Sequence, residues 1–184
     1  SLLTSSLAWG SPKTDLIQLL GKYQSLSAHF TQQVSNNTNH THIKGQLLLA
    51  KPNCFIWKIT SPNFQLFQSD GKIMWQYEKD LNQVIIHHQV NFGDNTPLMV
   101  LTGQTHLSQY YVVSKLGANH YRLKAKRSNE LITAIDLWFA HHLPKRFVIT
   151  NITGQQTQVT LSHIELNPKA VSYTHLRAHE TLLY

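Results

Sequence analysis

The stretch from Leu47 to Asp80, LLLAKPNCFIWKITSPNFQLFQSDGKIMWQYEKD, limits the fold more than any other part of the chain. It reads as three strands joined by two turns. Phe55, Trp57 and Ile59 alternate with their neighbours and so share one face of a strand. Pro62 opens a turn, and Phe64 and Leu66 follow it. Asp70-Gly71 supplies the positive φ that a tight hairpin turn requires. Ile73, Trp75 and Tyr77 then lead into a second turn at Glu78–Asn82, and Gln83–Val90 reads as the next strand. The stretch carries two of the four tryptophans and the single cysteine, Cys54, but no obvious catalytic group. A curved sheet that spends its aromatics this way is better suited to holding something apolar than to breaking a bond.

The flanks agree. Asp15 to Tyr23 has the spacing of a short amphipathic helix, with Leu16, Leu19, Leu20 and Tyr23 on one side, Thr14 or Asp15 as cap and Gly21 weakening its end. Leu26, Ala28, Phe30 and Val34 then mark a half-buried strand. Asn36 to His42 reads as a polar loop. Thr96-Pro97 is a helix start, an N-cap followed by a first-turn proline, and Leu98, Met99, Val100 and Leu101 continue it until Gly103. That helix is apolar nearly all round, so both sides must be covered. Strands follow at Tyr110–Lys115, Tyr121–Arg127, Leu131–Phe139, Arg146–Thr150 and Gln156–Leu166. The count is about eleven strands and two short helical pieces, mainly β, in one domain over residues 11–170; sequential antiparallel strands of this kind make a sandwich or a barrel, open or closed. Residues 1–10 read as the remnant of a secretory signal peptide, and 171–184 as a non-native C-terminal tail.

Composition excludes several functions. Only 14% of the 184 residues are charged, well below the usual quarter or so. The net charge of +7 is scattered, and the densest cluster, Lys124, Lys126 and Arg127, is too short for a nucleic-acid groove. A loose attraction to anionic headgroups is the better use of it. One cysteine allows no intrachain disulfide. Adjacent His87 and His88 point to opposite faces of a regular strand, and His40 and His42 have no nearby Cys or carboxylate, so no metal site is expected. No nucleophile elbow, zinc-protease helix or phosphate loop is present. Most acids sit in predicted turns; Asp136 stands out, mid-strand beside Trp138. The chain reads as a non-enzyme without cofactor. Leu131–Phe139 is apolar on both faces, so either a second layer covers it or one face lines a cavity.

Several motifs together carry a family resemblance. They are Lys51-Pro52-Asn53-Cys54-Phe55-Ile56-Trp57, Ser61-Pro62, Ser69-Asp70-Gly71-Lys72 with Trp75 and Tyr77, and Asn95-Thr96-Pro97. Upstream, Ser27-Ala28-His29-Phe30-Thr31-Gln32 matches a first strand. In order and spacing, residues 15 to 170 resemble the LolA family of periplasmic lipoprotein carriers. The resemblance implies an unclosed half-barrel, a curved antiparallel sheet of about eleven strands with a helical lid. It also implies a monomeric periplasmic carrier that binds no nucleic acid. Such a carrier takes triacylated outer-membrane lipoproteins from an inner-membrane ABC transporter, shields their acyl chains, and passes them to an outer-membrane receptor. Covering about ten methylenes at roughly 0.8 kcal/mol each gives on the order of 8 kcal/mol, near micromolar binding.

By the same resemblance, Phe55 and Trp57 line the acyl-chain site, joined by Phe64, Leu66, Ile73 and Trp75. Leu98, Met99 and Leu101 come from the lid helix, and Leu16 and Leu20 from the N-terminal helix at the mouth. Lys51 stands where the family usually has an Arg that latches the lid through backbone carbonyls. Lys is a point donor and not a planar fork, so a weaker latch is expected. The family also continues beyond the point near Ala170 where the match stops, with a segment that discourages lingering on membranes. The alternative reading is an envelope-stress sensor module of the same fold that detects mislocalised lipoproteins. A hydrolase or metal protein using Asp136 or the histidines ranks last.

Overall fold

Alternating apolar and polar side chains build one antiparallel sheet of 11 strands. The computed structural model describes residues 10–35, 40–88, 98, 101–102, 107–128 and 130–168. Helix α1 (Pro12–Leu20) precedes β1 (Ser25–Ser35), β2 (His40–Ala50), β3 (Cys54–Ser61), β4 (Gln65–Asp70), β5 (Met74–Glu78) and β6 (Gln83–His87). After a connection that includes α2 (Leu107–Tyr110) come β7 (Tyr111–Gly117), β8 (His120–Ala125), β9 (Ile132–Ala140), β10 (Leu143–Asn151) and β11 (Gln156–Leu166).

The strand order is β6-β5-β4-β3-β2-β1-β11-β10-β9-β8-β7. Two meanders therefore meet along β1 and β11. Strands β6 and β7 are the two edges and do not pair with each other, so the sheet is open. The chain leaves one edge at His87 and enters the other at Tyr111, and the helical residues Leu98 and Leu101 lie on that crossing. Leu98 and Leu101 are fully buried, packed with α1 in the same core as the sheet's inner face. The helices therefore cover one face of the sheet, and that face is the apolar one.

Register decides which side chains share it. Leu47 pairs with Trp57 and Trp57 with Phe67. Phe30 lies opposite Gly45 and stacks on Trp57 with ring centroids 3.9 Å apart. In the second meander Leu123 pairs with Ile135 and Tyr121 with Leu137; Phe147 also pairs with Leu137. All of these but Phe67 and Gly45 are counted among the buried apolar core.

Most element boundaries agree with the sequence reading to within a residue or two; the larger differences are these. Leu47–Asp80 holds the end of β2 and three further strands, because Lys51–Asn53 is itself a turn. His40 and His42 belong to β2, paired with Ser35 and Gln33, and not to a loop. Helix α1 begins at Pro12, because Ser11 caps it by accepting from the Thr14 amide at 3.2 Å; Thr14 and Asp15 lie inside. Strand β10 starts at Leu143, because His141 and His142 turn the chain with φ of 51° and 64°, a geometry usually given to Asn or Gly. The expected helix at Pro97–Leu101 is represented by Leu98, Leu101 and Thr102, the Thr102 amide donating to the Leu98 carbonyl at 2.9 Å; Pro97, Met99 and Val100 lie outside the described residues. So do the expected signal remnant, apart from Gly10, and the tail.

Gly45 is where the sheet approaches itself too closely for a side chain. A Cβ there would come 2.0 Å from the Lys58 carbonyl oxygen and 2.5 Å from the Phe30 ring. Gly45→Ala is expected to destabilise the fold by about 3 kcal/mol through overpacking. A urea midpoint unchanged from the parent would show that the β2–β3 pair relaxes freely at this point.

Candidate functional site

The inner face of the sheet is apolar from β5 in one meander to β8 in the other. Phe55, Leu49, Leu123, Ile135 and Leu161 have no exposed surface, and Trp57 retains 3%. Helix α1 lies over this face with Leu16 and Leu20 turned down into it. The polar face of α1 follows from its sequence, with Lys13, Asp15 and Gln18 interspersed among the leucines.

Two ties fix the ends of α1. At its start Asp15 pairs with Lys115 of β7 at 3.5 Å. At its end Lys51, in the β2–β3 turn, donates through Nζ to the Leu20 carbonyl. A helix leaves its last carbonyls without intrahelical partners, and a cation there also meets the negative end of the helix dipole. The same Nζ lies 4.2 Å from the centroid of the Tyr23 ring. Burial lowers the Lys51 pKa from its ordinary value. Tyr23 is buried to 1% exposure, and its Oη donates to the Leu101 carbonyl of the crossing helix. Burial pushes the Tyr23 phenol well above its usual pKa, so it stays a neutral donor across physiological pH. Lys51 and Tyr23 together connect the sheet, α1 and the crossing helix.

The structure brings Phe55, Trp57, Leu16, Leu20, Leu98 and Leu101 into one buried cluster. Lys51 stands beside it. Met99 lies outside the described residues. Phe64, Leu66 and Trp75 do not join the cluster. Register pairs Leu66 with Lys58 and Tyr77, and Trp75 with Gln68, which sets them on the face opposite Trp57. Ile73 sits in the β4–β5 turn, half-buried. The inner positions of these strands belong instead to Phe67, Ser69 and Met74. Leu66 and Phe67 are adjacent and both apolar, so alternation alone could not assign their faces. In the sequence Tyr23 is only the last apolar position of a helix. Its tie to Leu101 spans 78 positions and leaves no local signal.

Asp136 has a structural occupation. Its Oδ1 accepts from Arg122 Nε at 2.9 Å and lies 2.6 Å from His120 Nε2. His120 stacks on Trp138 at 4.2 Å, and Arg146 covers Trp138 at 4.0 Å. These groups lie on the outer face, away from Leu137 and Tyr121. Among the described residues no three His, Cys, Asp or Glu side chains gather as metal ligands.

An open antiparallel sheet with helices tied over an apolar inner face defines the class of lidded half-barrels. The chain belongs to the LolA family: residues 21–172 match the family described as Outer membrane lipoprotein carrier protein LolA. Among its relatives, the outer-membrane lipoprotein carrier proteins of Aeromonas salmonicida and Bordetella avium are each 30% identical to it. The first covers 91% of this chain and 84% of the relative, the second 91% and 83%. That of Alcanivorax borkumensis is 29% identical over 91% and 83%. The fold is also similar to a chain in the Pseudomonas aeruginosa MucA/MucB complex, with TM-score 0.54, 11% identity, and coverage of 86% of this chain and 58% of that one. An uncharacterized conserved protein from Thermus thermophilus gives TM-score 0.52, 12% identity, and coverage of 85% and 90%.

Replacing Asp136 by Asn keeps the shape and removes the charge that holds His120 and Arg122. The expected cost is about 1 to 2 kcal/mol, because Arg122 is half exposed and water screens part of the pair. Thermal unfolding of Asp136→Asn at neutral pH measures it; a stability equal to the parent's would show that the ion pair contributes nothing net.

Proposed function

We propose that this protein is a periplasmic carrier whose inner face takes up the acyl chains of triacylated outer-membrane lipoproteins. The cargo comes from an inner-membrane ABC transporter and goes to an outer-membrane receptor, and the carrier works as a monomer. The observation that carries this reading is the way the apolar face is covered. Large aromatic and aliphatic side chains fill it, while the helices above it are held at their ends by single polar contacts that can be released. A permanently closed core would gain nothing from such ties.

In this reading Phe55, Trp57, Leu16, Leu20, Leu98 and Leu101 contact acyl chains once the helices part. Lys51 and Tyr23 share the latch. A lysine ammonium is compact and cannot present the planar fork of an arginine. Here it takes the α1 carbonyl, and the Tyr23 hydroxyl takes the one on the crossing helix. Each such hydrogen bond contributes roughly 1 kcal/mol net, so the lid is closed but not locked.

The decisive experiment is co-purification from the periplasm of the carrier with a tagged outer-membrane lipoprotein, as the acylated form and as a form lacking its lipidated Cys. Retention that requires the acyl chains is the expected outcome; equal or absent retention of both forms rules out direct carriage. For the latch, Tyr23→Phe removes one hydroxyl with little change of shape. It is expected to raise uptake of an environment-sensitive apolar dye by the empty protein several-fold, while Lys51→Arg lowers it. Identical dye uptake by the parent and both variants would end the latch assignment.

A further inference from the structure

The face of the sheet turned away from α1 carries a groove of about 650 Å³. Sites for small ligands commonly have roughly this size. The groove runs across six adjacent strands, from β11 to β5, and its two ends differ in chemistry. At the β11–β1 end it meets Ser27, His29, His163 and Glu165. Toward β4 and β5 it is lined by Ile56, Leu66, Phe64 and Tyr77, with the buried Gln68 beside Ile56 as a polar side chain there, and the Phe64 and Tyr77 rings lie 6.2 Å apart in an edge contact. Lys58 stands between, flanked in register by Gln46 and Leu66.

The polar end is shaped by a bulge. Between the pairs Ser27–Glu165 and His29–Ser162, β1 contributes one residue and β11 contributes two. His163 is one of those two, with φ of 50°, a left-handed backbone uncommon for a residue with a side chain. Bulges of this kind re-aim side chains. This one brings the His163 ring to 4.7 Å from that of His29, at the mouth of the groove.

From this gradient we infer that the groove is a second binding site, for a single-chain amphiphile with an anionic head. The aliphatic chain lies along Ile56, Leu48 and Leu66 toward Tyr77. The head lies at Lys58, where His29 and His163 offer further ring donors. Glu165, at the outer corner beyond Ser27, disfavours a second negative charge further along and sets the head on the Lys58 side. A fatty-acid carboxylate and a lysophospholipid phosphate share this chemistry. The site is independent of the carrier reading, because the sheet separates the two faces: Phe55 and Trp57 point inward, Ile56 and Lys58 outward.

The test is methyl-labelled NMR of the full chain, titrated below micelle concentrations with palmitate, with lysophosphatidylglycerol, and with neutral monopalmitoylglycerol. Shifts are expected at the outward Leu48, Ile56 and Leu66, whether or not the inward Leu49 and Ile59 also respond, since the carrier reading lets an acyl chain reach the inner face as well. At least one anionic amphiphile should bind at least tenfold more tightly than the neutral one, and which of the two does so distinguishes carboxylate from phosphate. Lys58→Gln, on a half-exposed side chain, should remove that tenfold preference. Shifts confined to the inward methyls would overturn the groove while leaving the carrier reading intact. No shift at all, or equal affinity for charged and neutral heads, would overturn the proposal as stated.

Discussion

A single sheet has two faces, and water can tolerate only so much apolar surface on either. That constraint governs this molecule. Its inner face is too apolar to stand open, and no second sheet covers it among the described residues, so short helices must. Burying Leu16 and Leu20 stabilises the cover by about 2 kcal/mol each. The polar ties at Lys51, Tyr23 and Asp15 add roughly 1 kcal/mol or less apiece. The sum for α1 itself, from Leu16, Leu20, Lys51 and Asp15, is at most about 6 kcal/mol. An acyl chain that covers about ten methylenes gains on the order of 8 kcal/mol. In the proposed carrier reading a ligand of that kind displaces the cover, whereas water does not.

The same numbers explain what the sequence revealed. Turn residues such as Asp70-Gly71 and the alternation in β1 and β3 depend on local backbone preferences, so the strands and their number could be read directly, whereas the open half-barrel came only from the family resemblance. The inward set Phe55 and Trp57 was legible because Ile59 continues their alternation. Phe64, Leu66 and Trp75 fall on the outer side instead, because β4 and β5 carry apolar side chains on both faces and only hydrogen-bonded register decides between them. The turn after β9 was legible in His141–Lys145, but its tightness was not: His141 and His142 alone make it, with positive φ, so β10 begins at Leu143 and not at Arg146. The Tyr23 contact was hidden because it is made by folding and not by sequence neighbours.

The outer face is used differently in the two meanders. Around β8 to β10 it is closed by charge and stacking, with Asp136 holding His120 and Arg122 while His120 and Arg146 cover the two sides of Trp138. Few apolar atoms are left for a ligand there. Across β1 to β5 the aliphatic side chains Leu48, Ile56 and Leu66 remain half-buried along a groove. The contrast is chemical, since both halves have the same strand geometry. Trp138 and Trp75 both occupy outer positions, but only Trp138 has a cation over its ring among the described contacts.

In the proposed carrier reading, a lysine at position 51 in place of the arginine that the family resemblance implies is less damaging than the side chain alone suggests. An arginine can reach two carbonyls from one rigid plane. Here the two acceptors, the carbonyls of Leu20 and Leu101, are served by two donors that touch each other, since Lys51 Nζ rests over the face of the Tyr23 ring. The ammonium stabilises the ring's position, and the ring aims the hydroxyl. Removing either partner disturbs the other, so the pair behaves as one unit whose effects do not add. On the same proposed reading such a divided latch opens in stages: the crossing helix leaves by breaking the Tyr23 bond alone, while α1 remains tied to Lys51 at one end and to Lys115 at the other.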